Sequence, residues 1–372
     1  MTRHAPTPQP QTKPQPQAQA QAEAEAEAEL QPQLQAEPGR RALLSLSLGL
    51  GLGLTVATAT AAPPSRAHAA PNPDRKPPAL AAAGRELLTG ELRHTTVIQS
   101  FAFDEQWGHI YALQVVSSGV QLPGEDAPRT HAERSLSGDL CLNRLNMDGS
   151  PAGHMYLKGF GHGGSIGLQP STVGPTLWTE WDANPRSGYG RGVCRFRFAD
   201  GQVLYRDSDG LLTYHPVPGS TSNYPALDLL HQQLLLRYKT KGVARFALYD
   251  LNRFRARSFR PLADFPQPGA DLDLPFQGMT LYGDHAYQLL GRAYGPDNPP
   301  SSGGDARLYR IDLRTGQVDW EQLEQTAPDL NPREPEGLAI LYGRRFDPRL
   351  CLGFTEGPPG ARRYRLYYKA LR

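Results

Sequence analysis

Apolar and polar positions in this chain recur in short bursts. Five times after residue 90, a polar residue, often followed by glycine, opens a brief apolar run: Gln99-Ser-Phe-Ala-Phe, His162-Gly-Gly-Ser-Ile, Asn223-Tyr-Pro-Ala-Leu, Gln277-Gly-Met-Thr-Leu and Glu336-Gly-Leu-Ala-Ile. The copies are spaced by about sixty residues, which suits a four-stranded propeller blade better than any helical repeat. Each phrase is followed in register by a second run (GHIYALQV, TLWTEWDA, QLLLRYK, HAYQLLG, RLCLGFTEG) and a third (DLCLNRLNMDG, GVCRFRFADG, VARFALYDL, ARLYRIDLRTG, RYRLYYKAL). These runs alternate or stay apolar, favour Tyr, Phe, Val and Leu, and end at turn formers such as Asp148-Gly149 and Thr315-Gly316, while helical periodicity is nearly absent.

Fourth strands read AGHMYLKGF, GQVLYRD, RARSFRPL and GQVDWEQL, but the last group reaches Arg372 without one. The fold class expected is all-β, a five-bladed β-propeller over residues 90–372, with Glu91 to Ile98 supplying the missing outer strand. Closing the ring removes two raw sheet edges. A β-sandwich with coincidental spacing is the alternative.

Upstream, residues 1–38 are low-complexity Pro, Gln, Ala and Glu, a composition expected to be disordered. Arg40-Arg41, the apolar run LLSLSLGLGLGLTVATATAA and Ala67-His68-Ala69 follow in the order of an export signal, so residues 39–69 read as a signal peptide and 70–89 as a flexible linker. The arginine pair leaves twin-arginine export open, and an uncleaved anchor is the alternative, because Ala42 to Ala62 is long enough to span a bilayer. The protein is expected to be secreted or associated with the cell wall, without stable membrane insertion once cleaved, and monomeric.

The whole chain carries 39 basic and 37 acidic residues, too balanced a field to draw nucleic acid. Cys141, Cys194 and Cys351 lie singly in apolar runs without metal-ligand spacing, which reads as buried thiols, although a bridge between two of them is open in an oxidising compartment. No metal site or cofactor is identifiable, while lone acids from distant strands leave room for Ca²⁺.

The openers Gln99, His162, Asn223, Gln277 and Glu336 should converge as a polar ring at one end of a narrow channel. Gly163, Gly278 and Gly337 beside them allow close approach of a ligand or of neighbouring blades. The richest stretch for chemistry is His154 to Arg197, holding His154, Lys158, Trp178, Glu180, Asp182, Tyr189, Arg191 and Arg195. Aromatic faces beside fixed donors suit the CH faces and hydroxyls of a sugar, and arginines add recognition of carboxylate or phosphate. Packing between blades accounts equally for Trp178, and a solvated strand for Arg195.

Two reactions can be assembled from these parts. A polysaccharide lyase would use His162 or Tyr189 for proton transfer beside a neutralising cation. A glycosidase would need two facing carboxylates, Glu336 with Glu180 being the most suggestive and Glu334 and Asp182 the substitutes. His162, Glu336 and Tyr189 are thus the catalytic candidates. Gln99, His154, Lys158, Trp178, Glu180, Asp182, Arg191, Arg195, Asn223 and Gln277 are the binding candidates. The crowding of acid–base groups favours cleavage of an extracellular glycan over binding alone.

The segments QSFAFD, GHMYLKGFGHGGSIG, LWTEWDA, FQGMTLYGDHAYQLLG and EPEGLAI resemble a known family over residues 90–372. It is that of the secreted teichoic acid biosynthesis protein C-like proteins, which share a propeller with receptor-binding proteins of staphylococcal phages. The resemblance implies five blades and contact with a cell-surface or extracellular polymer, teichoic acid or another anionic glycan. It also implies an alternative to cleavage, a non-catalytic module that binds cell-wall glycopolymer.

Overall fold

A computed structural model describes residues 79–343 and 346–371. The low-complexity segment, the export signal and most of the expected linker lie outside them. Strand β1 (Arg85–Gly90) comes first. Blade one holds β2 (Ile98–Asp104), β3 (His109–Val115), β4 (Leu140–Asn146) and β5 (Pro151–Lys158). Blade two holds β6 (Ile166–Gln169), β7 (Thr176–Ala183) and β8 (Gly190–Arg197), then β9 (Val203–Tyr205) and β10 (Leu212–Tyr214) follow. Blade three comprises β11 (Thr221–Asp228), β12 (Gln233–Thr240), β13 (Val243–Asp250) and β14 (Ala263–Pro266). Blade four comprises β15 (Phe276–Tyr282), β16 (His285–Leu290), β17 (Arg307–Asp312) and β18 (Val318–Leu323). Blade five comprises β19 (Pro332–Leu341), β20 (Arg349–Glu356) and β21 (Arg363–Ala370), completed by β1.

Five sheets result, and a buried apolar cluster fills each junction between neighbours. Between blades one and two, for example, Leu140, Leu142, Met155 and Leu157 pack on Ile166, Leu177 and Phe196. Burying such a side chain is worth about 1.5–3 kcal/mol relative to exposure, so the blade-to-blade contacts supply the main cohesive force. Gly278 and Gly337 serve this packing: a Cβ on Gly278 would lie 2.8 Å from the Gly337 Cα in the next blade. Cys141, Cys194 and Cys351 are free, buried thiols in blades one, two and five. Among the described residues no helix is long and apolar enough to cross a membrane.

The ring closes as expected but with a different strand. Arg85–Gly90 pairs antiparallel with β21, Leu88 opposite Leu366 and Gly90 opposite Tyr364. The expected closing segment, Glu91 to Ile98, instead crosses blade one. Its backbone is captured by buried side-chain amides: Arg93 N donates to Asn143 Oδ1 at 2.8 Å, and His94 N to Gln114 Oε1 at 3.0 Å. Residues 79–89, expected to be linker, therefore belong to the folded unit. Lys369 fixes them further, donating to Leu80 O at 3.0 Å and Ala82 O at 2.7 Å while pairing with Glu324 at 2.9 Å, both side chains being fully buried.

Two outer strands also differ from expectation. GQVLYRD joins blade one as β9, parallel to β5, because the turn at Asp200 folds back so that Asp200 accepts from His154 N at 2.8 Å. That addition satisfies an otherwise raw edge, and β10 takes its place in blade two. RARSFRPL is displaced as blade three's outer strand by β14. Asp250 caps a short helix over Leu251–Arg255, accepting from Arg253 N at 2.8 Å, and so delays the return of the chain.

Candidate functional site

The recurring polar phrase marks an irregularity in the ladder. The register of β2 with β3 shifts between Ile98 and Ser100, at Gln99; that of β15 with β16 shifts between Phe276 and Gly278, at Gln277. Shifts between Thr221 and Tyr224 and between Pro335 and Leu338 bracket Asn223 and Glu336. A bulge turns one side chain out of the pleat and re-aims it. Four innermost strands thus place the opener where the ladder is broken, and in blade two His162 occupies the irregular lead-in to β6.

Gln99, His162, Gln277 and Glu336 all line one cavity of about 270 Å³ at the mouth of the ring. Tyr189 lines it too, its ring 5.2 Å from that of His162. Asn223 does not: its amide is turned inward and donates to Gly190 O at 3.2 Å and Ser220 Oγ at 3.0 Å, while neighbours Thr221 and Ser222 face the cavity.

Glu180 sits beneath this wall instead of in it. Fully buried, it accepts from Gly163 N and from Gly190 N, each at 2.6 Å, and so ties the His162 loop to the strand start after Tyr189. Burial pushes its carboxyl up to about 7 against the lowering effect of those amides. It positions His162 against Tyr189 and does not face Glu336 across a substrate. Burial, with His131 adding to it, holds the His162 imidazole down at about 4, and burial raises the Tyr189 phenol to about 12.

Most other candidates from the rich stretch lie elsewhere. Trp178 is core, stacked 5.6 Å from Tyr214. Lys158 pairs with Glu125 at 2.8 Å, inside a buried network in which Arg134 bonds Glu125 and, at 2.8 Å, Asp139. Asp182 pairs with Arg191 at 2.7 Å, and Arg195 lies 5.5 Å over the Trp178 ring. His154 sits on β5, edge-on to Tyr156 at 5.4 Å. None of these six lines the cavity. Among the described residues no group of three or more His, Cys, Asp or Glu is placed to hold a metal ion.

The mouth holds residues that the sequence did not single out. Arg237, 9% exposed, projects from β12, donates through Nε to Gln267 Oε1 at 2.7 Å, and lies 4.3 Å from the Phe276 ring centroid and 5.4 Å from that of Tyr224. Those two rings stack 5.6 Å apart at 14°. Lys239, His131, Ser135 and Asp273 also line the cavity, together with Glu334, which the sequence offered as a substitute carboxylate. His131 and Ser135 come from a helix over His131–Ser137, in the insertion between β3 and β4, whose start is capped reciprocally by Thr130 and Glu133. Two signals were available: Thr130-x-x-Glu133, and Arg237 as the charge interrupting the apolar run QLLLRYK.

The site is thus a mouth of a closed five-bladed propeller where amides, hydroxyls and charges gather in one cavity. The chain belongs to the family described as the phage 5-bladed β-propeller receptor-binding platform domain, whose model matches residues 97–368. It is 28% identical over 278 residues to a putative major teichoic acid biosynthesis protein C of Bacillus subtilis (strain 168), covering 73% of this chain and 59% of that relative's length. Among solved structures it is similar to the tail fiber of Staphylococcus aureus phage P68, with a TM-score of 0.58 and 20% identity over 77% of this chain and 52% of that one, which shows the fold. Similarity to a GH43_1 enzyme from Xanthomonas citri complexed with xylose has a TM-score of 0.43 at 12% identity, over 78% of this chain and 92% of that one, and carries no argument about chemistry.

Proposed function

We propose that this propeller binds an extracellular or cell-surface glycopolymer at the mouth of its ring and does not cleave it. The supporting observation is that mouth: Gln99, Thr221, Ser222, Gln277, Arg237 and Lys239 gather in one cavity, and such fixed donors and acceptors suit the hydroxyls and charged groups of a sugar chain. Membership in a receptor-binding platform family and similarity to a protein named for teichoic acid biosynthesis point the same way. Action outside the cytoplasm rests on the sequence from Arg40 to Ala69.

The cleavage reading retains one observation in its favour, that His162, Tyr189 and Glu336 share a cavity. Their tuning argues against it. An efficient general acid or base titrates near the working pH, whereas His162 is held near 4 and Tyr189 near 12. Glu180, at about 7, is sealed below the mouth. The test is incubation of the folded protein with a panel of cell-wall polymers and polysaccharides. Retention of polymer without products supports binding. New reducing ends, or absorbance of an unsaturated uronate, would establish cleavage, and His162→Ala and Glu336→Gln would then show whether turnover falls at least about tenfold.

A further inference from the structure

We infer that Arg237 and Lys239 form an oxyanion subsite in the mouth, so that the ligand is read through a carboxylate or a phosphodiester on the polymer. This rests on the mouth being the binding site.

Residues two apart on a strand face the same side, and β12 presents Arg237 and Lys239 together to the cavity. Among the described residues neither forms an ion pair, although fourteen other arginines and lysines do, many of them at the surface. Arg237 is the more telling because it is 9% exposed. A charge removed from water is costly unless hydrogen-bonded and paired. Its Nε is satisfied by Gln267, and the Phe276 ring supports one side, but Nη1 and Nη2 have no hydrogen-bond partner among the described residues. Two parallel N–H donors on a rigid guanidinium fit two oxygens of one oxyanion. Gln267 fixes the orientation of that fork before a ligand arrives. Glu334 and Glu336 line the same cavity from β19, two blades further round the ring, and Asp273 lines it from the segment before β15, so an anion is directed to the β12 wall that carries the two cations.

The first test is the thermal midpoint of the folded protein in inorganic phosphate and in glucuronate against chloride at matched ionic strength. Both anions are expected to raise it in the wild type. Arg237→Gln should lose the rise, Arg237→Lys should keep part of it, and Lys239→Gln should retain most. No rise in the wild type, or an equal rise in folded Arg237→Gln, overturns the inference. The second test compares retention of a poly(glycerol phosphate), a polygalacturonate and neutral dextran. Arg237→Gln should weaken binding of the anionic polymers by at least about tenfold and by more than it lowers any retention of dextran, and the stronger anionic polymer identifies the oxyanion. Equal wild-type affinity for dextran and the anionic polymers overturns the subsite while leaving glycopolymer binding intact. An Arg237-dependent rise with no polymer retained keeps the subsite and removes the proposed function.

Discussion

Two groups of basic residues in this molecule have opposite circumstances. Arg134 and Lys158 converge on Glu125 and Asp139 beside blade one, every charge matched at 2.8 Å or less. Arg237 and Lys239 stand at the mouth without an acidic partner among the described residues. Both groups are largely removed from solvent, and each has one member, Lys158 or Arg237, that interrupts an apolar run in the sequence. The difference is that the first has its partners within the fold and the second does not. A paired, buried network fixes the insertion that carries His131 and Ser135 to the rim. An unpaired one leaves binding capacity to be used.

That comparison can be broken by substitution. The largest effect is expected from Glu125→Gln, which leaves Lys158 without its carboxylate and Arg134 with Asp139 alone: breaking a buried pair costs about 3–5 kcal/mol, measurable by urea denaturation. Trp178→Ala should cost about 3–5 kcal/mol as a cavity in the core, without a change in binding to the folded protein; a binding loss without destabilisation would return Trp178 to the site.

A smaller effect concerns pH. Glu180, raised to about 7 from an unfolded value of 4.5, makes the native state hold an extra proton, so its contribution to stability is full below pH about 4.5 and is lost as pH rises towards about 7. His162, lowered to about 4 from 6.5, acts in the opposite sense: the native state binds fewer protons, and its contribution is present above pH about 6.5 and lost as pH falls towards about 4. Their slopes oppose one another between about pH 4.5 and 6.5. Stability against pH should therefore fall more steeply across that window in His162→Gln than in the wild type, and rise more steeply in Glu180→Gln. Parallel curves for all three proteins would contradict the assignment. Smallest of all, Arg191→Ala removes a part-exposed pair with Asp182 and should cost about 0–1 kcal/mol with no effect at the mouth.

Much of the architecture could be read from the phrase spacing, because each blade repeats one local problem: a strand that must leave the ladder near the axis and then bury its sides. Gln99, Gln277 and Glu336 were legible for the same reason, since a polar residue at a bulge interrupts an apolar run, whereas Asn223 carries the same signal and turns inward. Strand exchange at the blade edges was not legible. Val203–Tyr205 and Leu212–Tyr214 are equally short, and the side chain of Asp200 decides which sheet takes the first. The closing strand was misplaced by a few residues because Gln114 and Asn143, distant in sequence, capture the segment after Gly90. Residue density misled the site reading. The stretch from His154 to Arg197 is rich in charges and rings, but most of them find partners within or beside their own blade, and only three-dimensional placement reveals which cations do not.

The closure has a consequence for how the protein comes to exist. Thr89 bonds to Tyr364 across 275 positions of chain, and Lys369 reaches Leu80 across 289. Synthesis proceeds from the N-terminus, so the first strand is made long before its partner and must wait, edge exposed, until the last strand arrives. Contacts of such long range slow folding, because the entropy of closing the loop has to be met before the contact forms. The final blade is therefore assembled from both ends of the chain at once, and a nascent protein lacking its last ten residues lacks the strand on which β1 pairs.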